Sequence, residues 1–247
     1  MNWDIQIQDG IKTIEMSGTG SNAMDLEFLH RLDREFGRND NFNGVVLAGN
    51  GQFFSAGLNL LKLVNAGREE VKEVIQALGD TLLKVMTFPG PVMAVVNGHA
   101  VAGGCLLALS CDYRVGTPGH FKLGVNELGL GVDLPPVALA AVRKAIPTHR
   151  QFAVAALGKL FSPEEAVSAG ILNELAVPEE ALASAHAKAH ELATPLPPFQ
   201  RLKERLLAPE LERIENDDHF ADEFADQWFD SRTQGKIKSV VARLKGK

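Results

Sequence analysis

From Asp4 to Met16 the chain reads DIQIQDGIKTIEM, with apolar and polar positions alternating on both sides of Asp9-Gly10. A period of two centred on that dipeptide predicts an antiparallel hairpin. The period then lengthens. In MDLEFLHRLDREF, Leu26, Leu29, Leu32 and Phe36 share one face of a helix for which Asn22 is the expected cap. NGVVLAGN and VMAVVN are short β-branched runs between turn residues, the pattern of strands buried on both faces, and CDYRVGT is a further strand. A helical pattern from Glu69 to Met86 stops at FPGP. Beyond Gln151 the pattern is helical, and in SPEEAVSAG it carries a Ser162 cap, Pro163 in the first turn and a stop at Gly170.

This succession predicts an α/β fold of stacked β-β-α or β-α units, with parallel strands and helices outside. TPLPP at 194–198 reads as a hinge. It separates a core, 1–194, from a helical region, 195–247, that is too thin to own a core and packs on its own domain or on a neighbouring subunit.

Composition narrows the field. With 31 acidic against 25 basic residues the net charge is −6, which disfavours nucleic acid and anionic membranes as partners. No apolar run reaches the length of a membrane span. The opening MNWDIQIQDG lacks the basic and apolar segments of a secretory signal, so a reducing cytoplasm is the expected location. Cys105 and Cys111 lie in one apolar segment and are expected to be small hydrophobes rather than a disulfide.

Three segments hold candidate chemistry. FFSAGLNL and HAVAGGCL each follow a buried strand and place small residues where backbone N–H groups can point outward together. Tight turns or close packing account for such glycines; so does an oxyanion hole built from two donors, helped by the N-terminus of a helix beginning at Gly103 or Gly104. The third, FKLGVNELGLGVDLPP, sets Glu127 in glycine-rich, apolar surroundings that raise a carboxyl pKa toward that of a proton shuttle. GHAVAGG lacks the GxGxxG spacing and the chain has no GxxxxGK[ST], which disfavours a nucleotide enzyme.

In order and separation, FFSAGLNL, NGHAVAGGCLLALSCDY, NELGLG and FSPEEAVSAGILNEL resemble the hallmarks of the enoyl-CoA hydratase/isomerase family, the crotonase fold, from about Asn22 to Val177. The resemblance implies a spiral of ββα units with a C-terminal helical trimerisation region. It implies that the N–H groups of Leu58 and Gly103 hold the thioester oxygen of an acyl-CoA as it becomes an enolate. Ala56, Gly57, Gly104 and Leu106 then belong to the substrate site. Hydratases of the family use two glutamates, but here one of those positions is Leu106 and only Glu127 remains. Gly131, Asp133 and Pro135 depart from the hydratase pattern, and the segment looks like the Δ3,Δ2-enoyl-CoA isomerase branch. The resemblance therefore implies that Glu127 moves a proton from C2 to C4 of a 3-enoyl-CoA. Coenzyme A enters as part of the substrate, with no separate cofactor. Lys62, Lys236, Lys238, Arg243 and Lys245 are candidates for its phosphates, and Leu60 to Arg68 for pocket walls. The family forms trimers, often paired into hexamers, so a homotrimer or dimer of trimers is expected.

The remaining polar candidates have plainer readings. Asp133 is a lesser candidate for a second acid, against a turn aspartate bonding its own backbone. Asp112 has structural character. His99 is expected to be a loop histidine with a satisfied hydrogen bond, and His186 with His190 to lie on a solvated helix face rather than to bind metal. Three other readings stay open: a hydratase or another crotonase reaction, a non-catalytic acyl-CoA binder, and a structural oligomer.

Overall fold

A computed structural model describes residues 3–17, 20–37, 42–193, 196–215 and 219–246. Strands β1 (Asp4–Gln8) and β2 (Ile11–Glu15) form the expected hairpin, with Gln8 opposite Ile11. Asp9 and Gly10 take φ of 51° and 74°, the left-handed pair that an Asp-Gly turn favours. Helix α1 (Leu26–Glu35) follows, but its cap is Asp25, whose carboxylate accepts from Phe28 N at 3.0 Å. Asn22 is instead buried at φ 48°, and its amide donates to the carbonyls of Met16, Phe53 and Phe54. Either side chain can cap a helix; the demand of those three carbonyls draws Asn22 inward and leaves the cap to Asp25.

Three ββα turns come next. The first is β3 (Gly44–Ala48), β4 (Phe53–Ser55), α2 (Leu60–Leu63) and α3 (Arg68–Thr87); the second is β5 (Val92–Val96), β6 (His99–Val101) and α4 (Gly103–Ser110). The third is β7 (Tyr113–Gly116), β8 (Leu123–Gly124) and α5 (Glu127–Leu130). Helices α6 (Pro136–Ala145), α7 (Thr148–Ala155) and α8 (Pro163–Ala169), strand β9 (Glu174–Leu175) and helix α9 (Pro178–Ala193) complete the core. Ser162 and Glu165 form a full capping box on α8, with Pro163 in its first turn and Gly170 at its end.

The first strand of each turn enters a large sheet, β1-β2-β3-β5-β7-β9, parallel from β2 onward, and the second enters a small parallel sheet, β4-β6-β8. Both faces of the large sheet are covered. Val45, Leu47, Val92, Ala94 and Val96 face the main core, while the alternate residues Val46, Ala48, Met93 and Val95 meet α9. On α9, Ala181, Ala185 and Ala189 recur every fourth residue, a stripe small enough to lie close on the sheet.

Of the expected hinge, Thr194 and Pro195 lie outside the described residues, and from Leu196 the chain is already helix α10 (Leu196–Glu215). Helices α11 (Phe220–Phe229) and α12 (Ser231–Lys245) end the fold. The region docks on its own core: Leu207, Phe224, Trp228, Ile237 and Val241 join the main apolar cluster. Helix α11 packs along α3, and α12 against α2 and α5. Among the described residues no helix is long and apolar enough to cross a membrane.

Candidate active site

The small sheet places the site. Leu58, Gly103 and Glu127 each stand two or three residues past the end of one of its parallel neighbours, β4, β6 and β8, so three successive turns deliver them to one side. All three line a single cavity of about 60 Å³. Its other walls are apolar: Ala56, Leu60 and Leu106 nearby, Ile75 and Leu78 from α3, Leu130 and Val132, and Phe224 and Trp228 from α11.

The loop carrying Leu58 is laced to the segment before α1. Ala56 N donates to Ser21 O, Met24 N to Gly57 O, and Asn59 N to Met24 O. Ser55 Oγ donates to Asn22 O and accepts from Gly57 N at 3.1 Å. Gly57 turns the chain at φ 79°, and a Cβ there would stand 2.9 Å from Gly103 N, so only glycine lets the two donor segments meet. On the other side Ala102 is held at φ 52° and ψ −130°, a conformation rarely taken by a residue with a side chain. It starts α4 abruptly, leaving Gly103 N at the open end of the helix. Among the described residues, neither Leu58 N nor Gly103 N donates to another backbone carbonyl. A Cβ on Gly104 would collide with the Ser55 carbonyl; this glycine packs α4 onto β4 and does not line the cavity.

Glu127 opens α5. The residue is half-buried, yet its Oε2 is buried without a hydrogen-bond partner. Desolvation pushes its pKa up from 4.5 to about 7, partly offset by the N–H groups of Glu127 and Asn126. Trp228 Nε1 is a second buried polar atom without a partner, on a residue of the same wall. A ligand or solvent with polar groups of its own would satisfy both atoms.

Other candidates lie elsewhere. Asp133 is exposed at the cavity rim, its carboxylate accepting from Leu134 N at 2.7 Å, as a turn aspartate does. Asp112 is structural: it accepts from Val92 N at 2.9 Å and pairs with Lys203 at 2.6 Å and Lys144 at 3.3 Å. His99 Nδ1 accepts from Lys122 N at 3.0 Å, between the rings of Phe53 and Phe121. His186 Nε2 lies 3.2 Å from Thr13 Oγ1. Cys105 and Cys111 are buried and free, their thiols pushed up to about 12 by burial. Lys62 is tied to Asp25 at 2.6 Å, and of the tail cations Lys236 brings its Nζ over Gly131 of the same chain. Sequence reasoning missed Phe224 and Trp228 as cavity walls, although Phe220, Phe224 and Trp228 recur at every fourth position.

The profile of the enoyl-CoA hydratase/isomerase family matches residues 6–236. The chain belongs to that family. It is 35% identical over 190 residues to a putative enoyl-CoA hydratase of Thermus thermophilus, covering 76% of this chain and 74% of that one. It is 30% identical over 167 residues to human mitochondrial enoyl-CoA delta isomerase 1, covering 66% of this chain and 55% of the relative, so only about half of that protein's length is matched. The solved human mitochondrial delta3-delta2-enoyl-CoA isomerase superposes with a TM-score of 0.92 at 25% identity, covering 100% of this chain and 99% of that one. An enoyl-CoA hydratase structure from Bacillus halodurans, at 20% identity and a TM-score of 0.83 over 96% of this chain and 99% of that one, shares the fold. The family thus offers both isomerase and hydratase neighbours on one crotonase-type α/β architecture.

Proposed function

We propose that the protein is an acyl-CoA isomerase that moves a double bond from the 3- to the 2-position of an enoyl-CoA, with Glu127 as its single base. The observation that carries this reading is the buried, unpartnered carboxylate oxygen of Glu127 in a mostly apolar cavity lined also by Leu58 and Gly103, whose N–H groups donate to no backbone carbonyl among the described residues; by the family resemblance, Leu106 holds the position of a hydratase's second carboxylate. A pKa of about 7 suits a group that must both take and return a proton near neutrality. Glu127 removes a proton from C2 and the electron pair flows into the thioester carbonyl, giving a dienolate whose oxygen the N–H groups of Leu58 and Gly103 hold. The carbonyl re-forms, a double bond appears between C2 and C3, and the carboxyl returns its proton to C4. Atoms and charge balance without a co-reactant.

A hydratase is the second reading, favoured by the Thermus relative and by Asp133 at the cavity rim. Purified protein incubated with 3-enoyl-CoA and, separately, with 2-enoyl-CoA separates the two. Conjugation followed by absorbance, absent in Glu127→Gln, supports the isomerase; a mass gain of one water on 2-enoyl-CoA supports the hydratase. Binding of acyl-CoA with neither reaction supports a non-catalytic binder.

A further inference from the structure

A second cavity, about 360 Å³, lies directly beyond the first and shares two of its walls, Ile75 and Pro135. Both cavities run in the trough between α3 and α11. On α3 the lining passes from Leu78 and Ile75 in the inner cavity to Gly79 and Leu83 in the outer groove. On α11 it passes the opposite way along the chain, from Phe220 outside to Phe224 and Trp228 inside. The two spaces are neighbours that share Ile75, which is 3% exposed, and the buried Pro135 as walls.

Gly79 is an independent sign that the outer groove is kept open. It sits in the middle of α3, where glycine weakens a helix, and it has no positive φ to require it. No crowding requires it either: a Cβ there would touch only Val137 Cγ1, at an ordinary 3.6 Å. What the missing side chain leaves is room in the groove.

The inner cavity is less than half the roughly 150 Å³ that holds one benzene ring, so behind the reacting carbons it has space for only a short acyl segment. We infer that Ile75 sets acyl-chain length in this protein, acting as a partition between the catalytic cavity and an outer groove that receives a longer chain only when the partition is removed. The inference rests on the acyl-CoA reading above and deepens it.

The test measures calorimetric binding of the unreactive saturated thioesters butyryl-, hexanoyl-, decanoyl- and palmitoyl-CoA, alongside turnover of 3-enoyl-CoA thioesters of matching length. Wild type should bind decanoyl- and palmitoyl-CoA about tenfold or more weaker than butyryl-CoA. Ile75→Ala should raise the ratio of long-chain to butyryl-CoA affinity about tenfold, while Ile75→Val, with less to destabilise, moves the same ratio the same way by less. Gly79→Leu should leave butyryl-CoA binding unchanged in wild type and cancel the gain in the Ile75→Ala background. Equal wild-type affinity across lengths, or a folded Ile75→Ala protein with no long-chain gain, overturns the partition. The length pattern without any double-bond migration keeps the partition and removes the isomerase reading; migration without the length pattern does the reverse. No binding of any acyl-CoA overturns both.

Discussion

Replacing Glu127 by glutamine keeps the shape of the side chain and removes its charge. The folded carboxyl titrates at about 7 against an ordinary 4.5. At about 1.4 kcal/mol per pH unit this is about 3.5 kcal/mol at most, and about 1.5–3 kcal/mol once solvent near a half-buried residue is allowed for. The native state holds this proton to a higher pH than the unfolded chain, so wild-type stability is full below about 4.5 and falls as pH rises to about 7. The glutamine protein has no such loss. Unfolding free energies from urea titrations should therefore nearly coincide at the acid end of the range and separate by about 1.5–3 kcal/mol by pH 8, with the variant the more stable. For a chain of this length that is a gain in Tm of very roughly 3–12 °C. The same substitution should lower turnover by about 10²- to 10⁴-fold. In wild type, kcat/KM should rise about tenfold per pH unit below about 7 and level off above it. Stability curves that run parallel across the range, or a variant less stable at pH 8, would refute the view that desolvation governs this carboxyl.

Gly57→Ala should cut kcat by about 10²- to 10³-fold with a smaller change in KM, because its Cβ presses on Gly103 N, one of the two proposed donors; steady-state kinetics at fixed pH reads the split. Gly79→Ala should stabilise the fold by about 0.5–1 kcal/mol, seen as a higher urea midpoint at unchanged slope. Asp112→Asn leaves Lys203 and Lys144 without their buried counter-charge and should cost about 3–5 kcal/mol of stability. Its kcat should match wild type wherever the variant is folded, measured in the linear range of the isomerase assay.

The features legible in the sequence are those decided by neighbours along the chain. The Asp9-Gly10 hairpin, the wholly buried β3 and β5, and the Ser162 to Gly170 helix each carry their own turn or cap chemistry. The resemblance brought Leu58, Gly103 and Glu127 to one place, and in the structure all three line one cavity. The cap of α1 was not legible, because Asn22 and Asp25 suit it equally and only the distant carbonyls of Phe53 and Phe54 decide between them. Nor was the far wall of the site. Phe224 and Trp228 belong to a helix that reaches the cavity only by docking on α3, so no local period ties them to Glu127. Of the stretch from Leu60 to Arg68 expected to shape the pocket, Leu60 reaches it; the deeper wall is built by Ile75 and Leu78, one helix later.

The two kinds of functional atom in this site are exposed to change in very different ways. The N–H groups of Leu58 and Gly103 belong to the main chain, so mutation at position 58 alters a side chain and leaves the donor in place. Glu127 and Leu106 would act through side chains, and one codon rewrites either. On the proposed reading, what the spiral inherits stubbornly is a grip on a thioester oxygen; what it can trade quickly is the reaction performed there. A lineage built on this scaffold should drift among chemistries of one substrate class far more readily than it leaves that class. The handful of backbone-critical small residues, Gly57 and Gly104 above all, is where such drift stops.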